Sequence, residues 1–171
     1  MKKVTILLAF IFSLAFIFPI NSNEEKNISN EHEFSFYTGM FDFSDDGQRA
    51  TLIGVQHQNE SLKRKSFLGT LSPITGFILT ENNAQYFYTG IQAQYKIGKM
   101  NLIPSFTPGL YGKGDGKDLG HVVEFKSEVQ LSFDLFSDSE LGFSYNHISN
   151  ASLGKTNPGA NSYMFNFIKQ F

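Results

Sequence analysis

The sequence contains no cysteine and no tryptophan. Without thiols there is no disulfide scaffold, no thiolate metal site and no cysteine nucleophile, and export to an oxidising compartment would add no covalent staple. Neither sign of charge dominates: 14 Lys and Arg stand against 16 Asp and Glu, a formal net charge of −2. Removing Lys2 and Lys3 with an export signal leaves 12 against 16, or −4. That mildly acidic balance lacks the electrostatic footprint of a nucleic-acid binder. Past the N-terminal segment there is no uninterrupted apolar run of about 18 residues, so no further helix is expected to span a bilayer. What is plentiful is aromatic: 15% of 171 residues, 19 of them Phe, within a 41% hydrophobic total. Such a load excludes a disordered chain, and the length points to one domain.

Lys2 and Lys3 precede an apolar run from Val4 to Ile20, which gives way to Asn21, Ser22, Asn23, Glu24 and Glu25. A basic start, an apolar core and a small-residue exit describe a cleavable secretory signal peptide. Ser22 is the expected last residue before cleavage, and Pro19 favours it; an uncleaved anchor is the alternative. The expected organisation is a signal over residues 1–22 and a single barrel domain over residues 23–171.

In the mature chain the hydrophobic pattern has period two. Val123, Phe125, Val129, Leu131, Phe133 and Leu135 take odd positions, with Ser127 the one polar exception, while Glu124, Lys126, Glu128, Gln130, Ser132 and Asp134 take the even ones. A helix would mix these sets, whereas a strand sends them to opposite faces. The end of the chain repeats the pattern with Tyr163, Phe165, Phe167 and Phe171, and the segment before it with Leu141, Phe143 and Tyr145. Weaker candidates at 33–43, 50–58, 67–80, 84–97 and 102–111 bring the total to eight, separated by turn-forming Asp, Asn, Gly and Ser clusters. Eight strands of about 9–11 residues suit a small antiparallel transmembrane β-barrel of the outer membrane.

A soluble eight-stranded barrel with the oily face inward is the structural alternative, because alternation alone does not say which face is which. Charge crowded on one face, aromatics on the other and a terminal Phe171 after an aromatic strand favour the membrane. Closure also leaves no unpaired backbone edge in lipid. With both termini periplasmic, the connections at 45–49, 81–83, 112–120 and 150–159 face outward from the cell.

The connection after the seventh segment is richest in functional residue types. His147 and Ser149 are two apart on a strand and share its face. They continue the oily stripe of Leu141, Phe143 and Tyr145, where polar groups find little satisfaction in lipid. A hydrolase whose substrate is a lipid accounts for them: a serine hydroxyl becomes a nucleophile when a neighbouring imidazole takes its proton, and the imidazole needs a third group to fix its tautomer. Asn161 has the same parity on the next, antiparallel strand, so a hairpin can bring it beside the ring.

His-x-Ser-Asn-Ala from His147, then Asn-Pro-Gly-x-Asn from Asn157 and a terminal aromatic strand, resembles the lipid A 3-O-deacylase (PagL) family. Pro108-Gly109-Leu110-Tyr111 and Leu119-Gly120-His121-Val122-Val123-Glu124-Phe125 are similar to its middle portion. The resemblance implies an eight-stranded outer-membrane barrel that hydrolyses the ester-linked 3-O-acyl chain of lipid A without metal or cofactor. It implies Ser149 as nucleophile and His147 as general base. The family's orienting acid, a Glu in its characterised form, falls on Asn161, whose amide oxygen can accept from imidazole but carries no full charge. The N–H groups of Asn150, Ala151 and Ser152, with Asn157, are the oxyanion-hole candidates. Expected partners are lipid A and the surrounding membrane, with a second copy of the chain as a further candidate. A non-catalytic structural or adhesive barrel with a vestigial motif and a soluble exported lipid-binding barrel stay open as alternatives.

Other features have plainer readings. Asn157-Pro158-Gly159 is a turn signal in its own right. Glu124, Lys126 and Glu128 are expected to pair with charges inside a plugged lumen, with Glu124 on the wrong face to assist His147. His32, His57 and His121 lie near strand ends with no metal-ligand spacing. The Gly112–Lys117 stretch lacks both the spacing of a phosphate loop and a following helix.

Overall fold

The computed structural model describes residues 32–66 and 68–171. The expected export signal at residues 1–22 and Phe67, the expected start of one strand, lie outside the described residues. The strands are β1 (His32–Phe41), β2 (Ala50–Asn59), β3 (Arg64–Ser66), β4 (Gly69–Thr80), β5 (Gln85–Ile97), β6 (Met100–Gly112), β7 (Val123–Phe136), β8 (Ser139–Ser149) and β9 (Ala160–Gln170). Eight long strands form the barrel. The three-residue β3 adds a short rung on β4, after a single 3-10 turn at Glu60–Leu62.

All pairings are antiparallel, and sequential neighbours pair except where β2 passes over β3 to β4. The sheet closes as β1 pairs with β9, Glu33 opposite Gln170 through Met40 opposite Tyr163. Closure gives every barrel strand two neighbours, which is what a chain in lipid requires. At one end Gly98-Lys99 and Ser137-Asp138 are two-residue turns and 60–68 carries the 3-10 turn and β3; at the other 81–84 is short, and 42–49, 113–122 and 150–159 are eight to ten residues long. Outer-membrane barrels place short turns in the periplasm and longer loops outside, so the latter end is the external rim.

The alternation sorts the faces as the membrane reading expects. Val129, Leu131 and Phe133 of β7 are exposed, as are Leu141, Phe143 and Tyr145 of β8 and Phe165 and Phe167 of β9. Buried on the inner face are Gln56, Gln92, Ser105, Glu124, Lys126, Glu128, Gln130, Asn146 and Asn166. A polar, filled interior beneath an apolar outer band is the inverse of a soluble barrel. Tyrosines plug the lumen toward the rim: Tyr37 and Tyr88 share a hydrogen bond of 2.6 Å, and the Tyr86 and Tyr88 rings stack at 5.4 Å. Lys126 and Glu128 pair across 2.9 Å as expected. Glu124 does not: among the described residues both of its carboxylate oxygens are buried without a partner.

Candidate active site

The outward residues of β8 climb from Leu141 through Phe143 and Tyr145 to His147 and Ser149. The register sets Phe167, Phe165, Tyr163 and Asn161 of β9 opposite the first four. The stripe passes from aliphatic to aromatic to polar as it nears the rim, matching the change from hydrocarbon to headgroup. Phe43, just past β1, caps the tyrosines, with ring centroids 5.5 Å from Tyr163 and 6.2 Å from Tyr145.

At the top of the stripe, His147 Nδ1 lies 2.8 Å from Asn161 Oδ1. An amide oxygen only accepts, so Nδ1 carries the proton and Nε2 is left as the basic nitrogen. The amide has further partners: its Nδ2 donates to Ser44 Oγ at 3.0 Å, and the Tyr145 hydroxyl donates to Oδ1 at 2.8 Å. The opposite edge of the ring faces Gly159, where an added Cβ would stand 2.9 Å from Cε1 and 3.3 Å from Nε2. Gly159 lies one step beyond the last β8–β9 pair, Ile148 with Ala160, and so stands level with Ser149. The Cε1–Nε2 edge of the imidazole thus lies against Gly159, and among the described contacts it makes no hydrogen bond to Ser149. Ser149 is only 6% exposed and sits opposite Phe125 of β7. Among the described contacts its hydroxyl makes no hydrogen bond. Two residues on one strand face are about 7 Å apart, a span that an imidazole lying along the strand largely covers.

Gly159 is thus more than the turn residue its sequence context suggests. Its φ of +64° disfavours any side chain, and the missing Cβ leaves room for the ring. With His147 as the base expected from the sequence, Gly159→Ala should lower kcat about 10- to 100-fold while the barrel still folds, since a displacement near 1 Å at a reacting group can cost that much. Steady-state deacylation, with heat-modifiable gel mobility as the folding control, checks this.

After Ser149 the chain makes a tight turn in which Leu153 N–H donates to Asn150 O at 2.9 Å, with Ala151 at φ 52° and Ser152 at φ 70°. Two successive non-glycine residues in the left-handed region are strained, and such strain persists only where the surroundings enforce it. Here Asn150 enforces it. Its fully buried side chain donates to Leu119 O and Thr156 O, both at 2.8 Å, and accepts from Ser152 N–H at 2.9 Å. Its backbone N–H donates to Asn157 Oδ1 at 3.1 Å. Gly120 fits against Thr156, whose carbonyl oxygen would be 2.3 Å from an added Cβ, so the two rim loops meet backbone to backbone. On the same loop Asp118 accepts from Gly120 N–H and pairs with Lys113, which together hold its carboxyl below the usual range. Asn150→Ala would leave two carbonyls and one N–H without partners, at about 1–3 kcal/mol for each buried group so orphaned. A fall of at least about 2 kcal/mol in unfolding free energy is expected, measured by urea titration in vesicles.

The structure thus brings His147 and Asn161 into contact, sets Ser149 on their face, and gathers Asn150, Ala151, Ser152 and Asn157 beside the serine. Ser44, Asp42 and Lys117 join the cluster without having been singled out in the sequence, as does the hydroxyl of Tyr145, read there only as an outward aromatic. Asp42 Oδ1 accepts from Asn161 N–H at 3.2 Å, and Lys117 pairs with its other oxygen.

A sequence profile of the lipid A 3-O-deacylase (PagL) family matches residues 37–169. The chain belongs to that family. PagL-family proteins are outer-membrane ester hydrolases of lipid A, and the barrel is an outer-membrane protein. The crystal structure of the outer membrane enzyme PagL is similar to the chain with a TM-score of 0.60 at 16% identity, covering 81% of this chain and 99% of that one. A structure from the de novo design of transmembrane β-barrels is similar with a TM-score of 0.55 at 8% identity, covering 87% of this chain and all of its own. At such identities the likeness is one of fold. No curated protein sequence matches the chain.

Proposed function

We propose that this PagL-family chain is a serine esterase that removes the 3-O-acyl chain of lipid A. Ser149 is the nucleophile, His147 the general base and Asn161 the group that holds the imidazole. The observation that carries the reading is the 2.8 Å contact between His147 Nδ1 and Asn161 Oδ1, which leaves Nε2 as the basic nitrogen with Ser149 two residues along the same strand face. A substrate already dissolved in the outer leaflet reaches that side without entering the lumen.

In the first half-reaction His147 Nε2 takes the Ser149 hydroxyl proton as Oγ attacks the ester carbonyl carbon. The tetrahedral intermediate collapses, the bond to the sugar oxygen breaks, and the imidazolium returns its proton to that oxygen. In the second half Nε2 takes a proton from water, hydroxide equivalent adds to the acyl-serine, and fatty acid leaves as Ser149 recovers its proton. The negative oxygen of each intermediate needs donors. The candidate donors are the N–H groups of Asn150, Ala151 and Ser152, which follow the serine in the chain, and the Asn157 amide; one such donor is typically worth about 3–4 kcal/mol. The Asn150 and Ser152 N–H groups rest on Asn157 Oδ1 and Asn150 Oδ1, so Ala151 N–H and Asn157 Nδ2 are the donors open to substrate at the outset.

The amide at Asn161 also favours a second reading, a barrel that keeps the motif without turnover. Mass spectrometry of lipid A from cells expressing the wild type or Ser149→Ala decides between them. One hydroxyacyl chain fewer with the wild type alone supports the esterase. Identical spectra from two folded proteins defeat it.

A further inference from the structure

Asp42 is a buried carboxylate at the end of β1, 1% exposed, in the left-handed conformation at φ 49°. A non-glycine residue held there out of solvent is strained, and its surroundings must over-determine it. Those surroundings are the partners of the catalytic amide. Asp42 Oδ1 accepts from the backbone N–H of Asn161 at 3.2 Å and, at a longer 3.4 Å, from the Ser44 hydroxyl. Ser44 Oγ in turn accepts from Asn161 Nδ2 at 3.0 Å. The other carboxylate oxygen pairs with Lys117 Nζ, whose side chain is 13% exposed; Lys117 also lies 3.4 Å from Asp45.

We propose that Asp42, acting through Ser44, is the positioning carboxylate of this site: it imposes the amide orientation of Asn161 and hence the reactive tautomer of His147. The proposal rests on the esterase reading above. Its logic follows the protons. A paired carboxylate only accepts, so the single hydroxyl proton of Ser44 points to Asp42. That leaves a lone pair of Ser44 Oγ for Asn161 Nδ2, which turns Oδ1 to His147. Nδ1 must then be the donor and Nε2 the base. Reversing the first member would reverse the row, presenting an amide N–H to Nδ1 and placing the ring proton on Nε2, where it cannot serve Ser149. The same charge, relayed through two aligned dipoles, opposes the positive charge that develops on the imidazole, a task a neutral Asn161 performs poorly alone.

The test uses the full chain refolded in detergent micelles with lipid A as substrate, in two backgrounds. In the native background Asp42→Asn is expected to lower kcat about 30-fold with KM changed less than about twofold, within the range of coupling for members of one hydrogen-bond network. In the Asn161→Asp background, where a carboxylate accepts directly from Nδ1–H, the same Asp42→Asn change is expected to cost less than about threefold. Equal losses in both backgrounds would make Asp42 a merely structural residue and overturn the proposal, as would no loss in either. An inactive Asn161→Asp protein also overturns it, since a direct carboxylate should replace a relayed one. If Asp42→Asn does not fold, Ser44→Ala is read by the same criteria, because it removes the relay and leaves the Asp42 contacts to Asn161 N–H and Lys117. Retained deacylation by Ser149→Ala would instead sink the esterase reading, a distinguishable failure.

Discussion

Ser149→Ala is expected to reduce kcat for lipid A deacylation by about 10⁵- to 10⁶-fold, with KM little changed, as when a nucleophile is removed from a Ser-His hydrolase. That corresponds to roughly 7–8 kcal/mol of transition-state stabilisation. His147→Ala is expected to cost nearly as much, and the double variant no more than either alone. A nucleophile without its base and a base without its nucleophile are equally idle, so the losses do not add. Non-additivity is the sharper readout. Two residues that merely shaped the rim would give losses that sum, whereas one proton-transfer unit gives a common floor set by the oxyanion donors and lipid binding. The variants should be compared in micelles of fixed composition, where KM reports the surface concentration of lipid A. Ser149 makes no hydrogen bond among the described contacts, so its loss orphans no partner and the barrel should remain folded.

Much of this site could be read from the sequence because a strand makes position along the chain equivalent to direction in space. The odd parity of His147, Ser149 and Asn161 assigned all three to the strand face that carries Leu141, Phe143 and Tyr145. The antiparallel hairpin then put Asn161 opposite His147 with no knowledge of the loop between them. The same rule sorted Glu124, Lys126 and Glu128 into the lumen. Parity gives the side and not the partner, which is why Lys126 and Glu128 met as expected while Glu124 met no charge. The residues that the pattern did not reveal are those whose contacts depend on loops. Asp42 reaches Asn161 across 119 positions of sequence, and Lys117 reaches Asp42 across 75. Lys117 lies outside every alternating segment and Asp42 at the very end of the weak one at 33–43, and no local spacing encodes a meeting of two rim connections with the start of β9. Tyr145 was legible as an outward aromatic, but its hydroxyl partner follows only once β9 is in register. Gly159 shows the opposite limit: its turn-forming context was plain, yet the reason for a glycine there is the volume of the His147 ring.

The lumen offers a prediction of opposite sign at two neighbouring positions. Lys126 is fully buried, 2.9 Å from Glu128 Oε2 and 4.3 Å from the centre of the Tyr88 ring. Asn146 Nδ2 is the other donor to that oxygen, at a weak 3.4 Å. Lys126→Met would leave the Glu128 carboxylate buried with one poor partner, and breaking a buried pair on one side costs about 3–5 kcal/mol. Changing both residues, Lys126→Met with Glu128→Leu, is expected to restore most of that loss, because no lone charge then remains to be desolvated. Glu124 lies two positions earlier on the same inner face, with both carboxylate oxygens buried and no partner among the described residues. Glu124→Met is therefore expected to leave stability unchanged or raise it by about 1–3 kcal/mol, the desolvation cost of a polar group that finds no bond. With no tryptophan to report unfolding, the measurement is urea titration in phospholipid vesicles followed by gel mobility. A loss at both positions would mean that shape alone governs the lumen. A loss at Lys126, relieved in the double change and absent at Glu124, would mean that polar satisfaction governs it, and that the plug is tuned to hold β7 and β8 in the register that seats the external site.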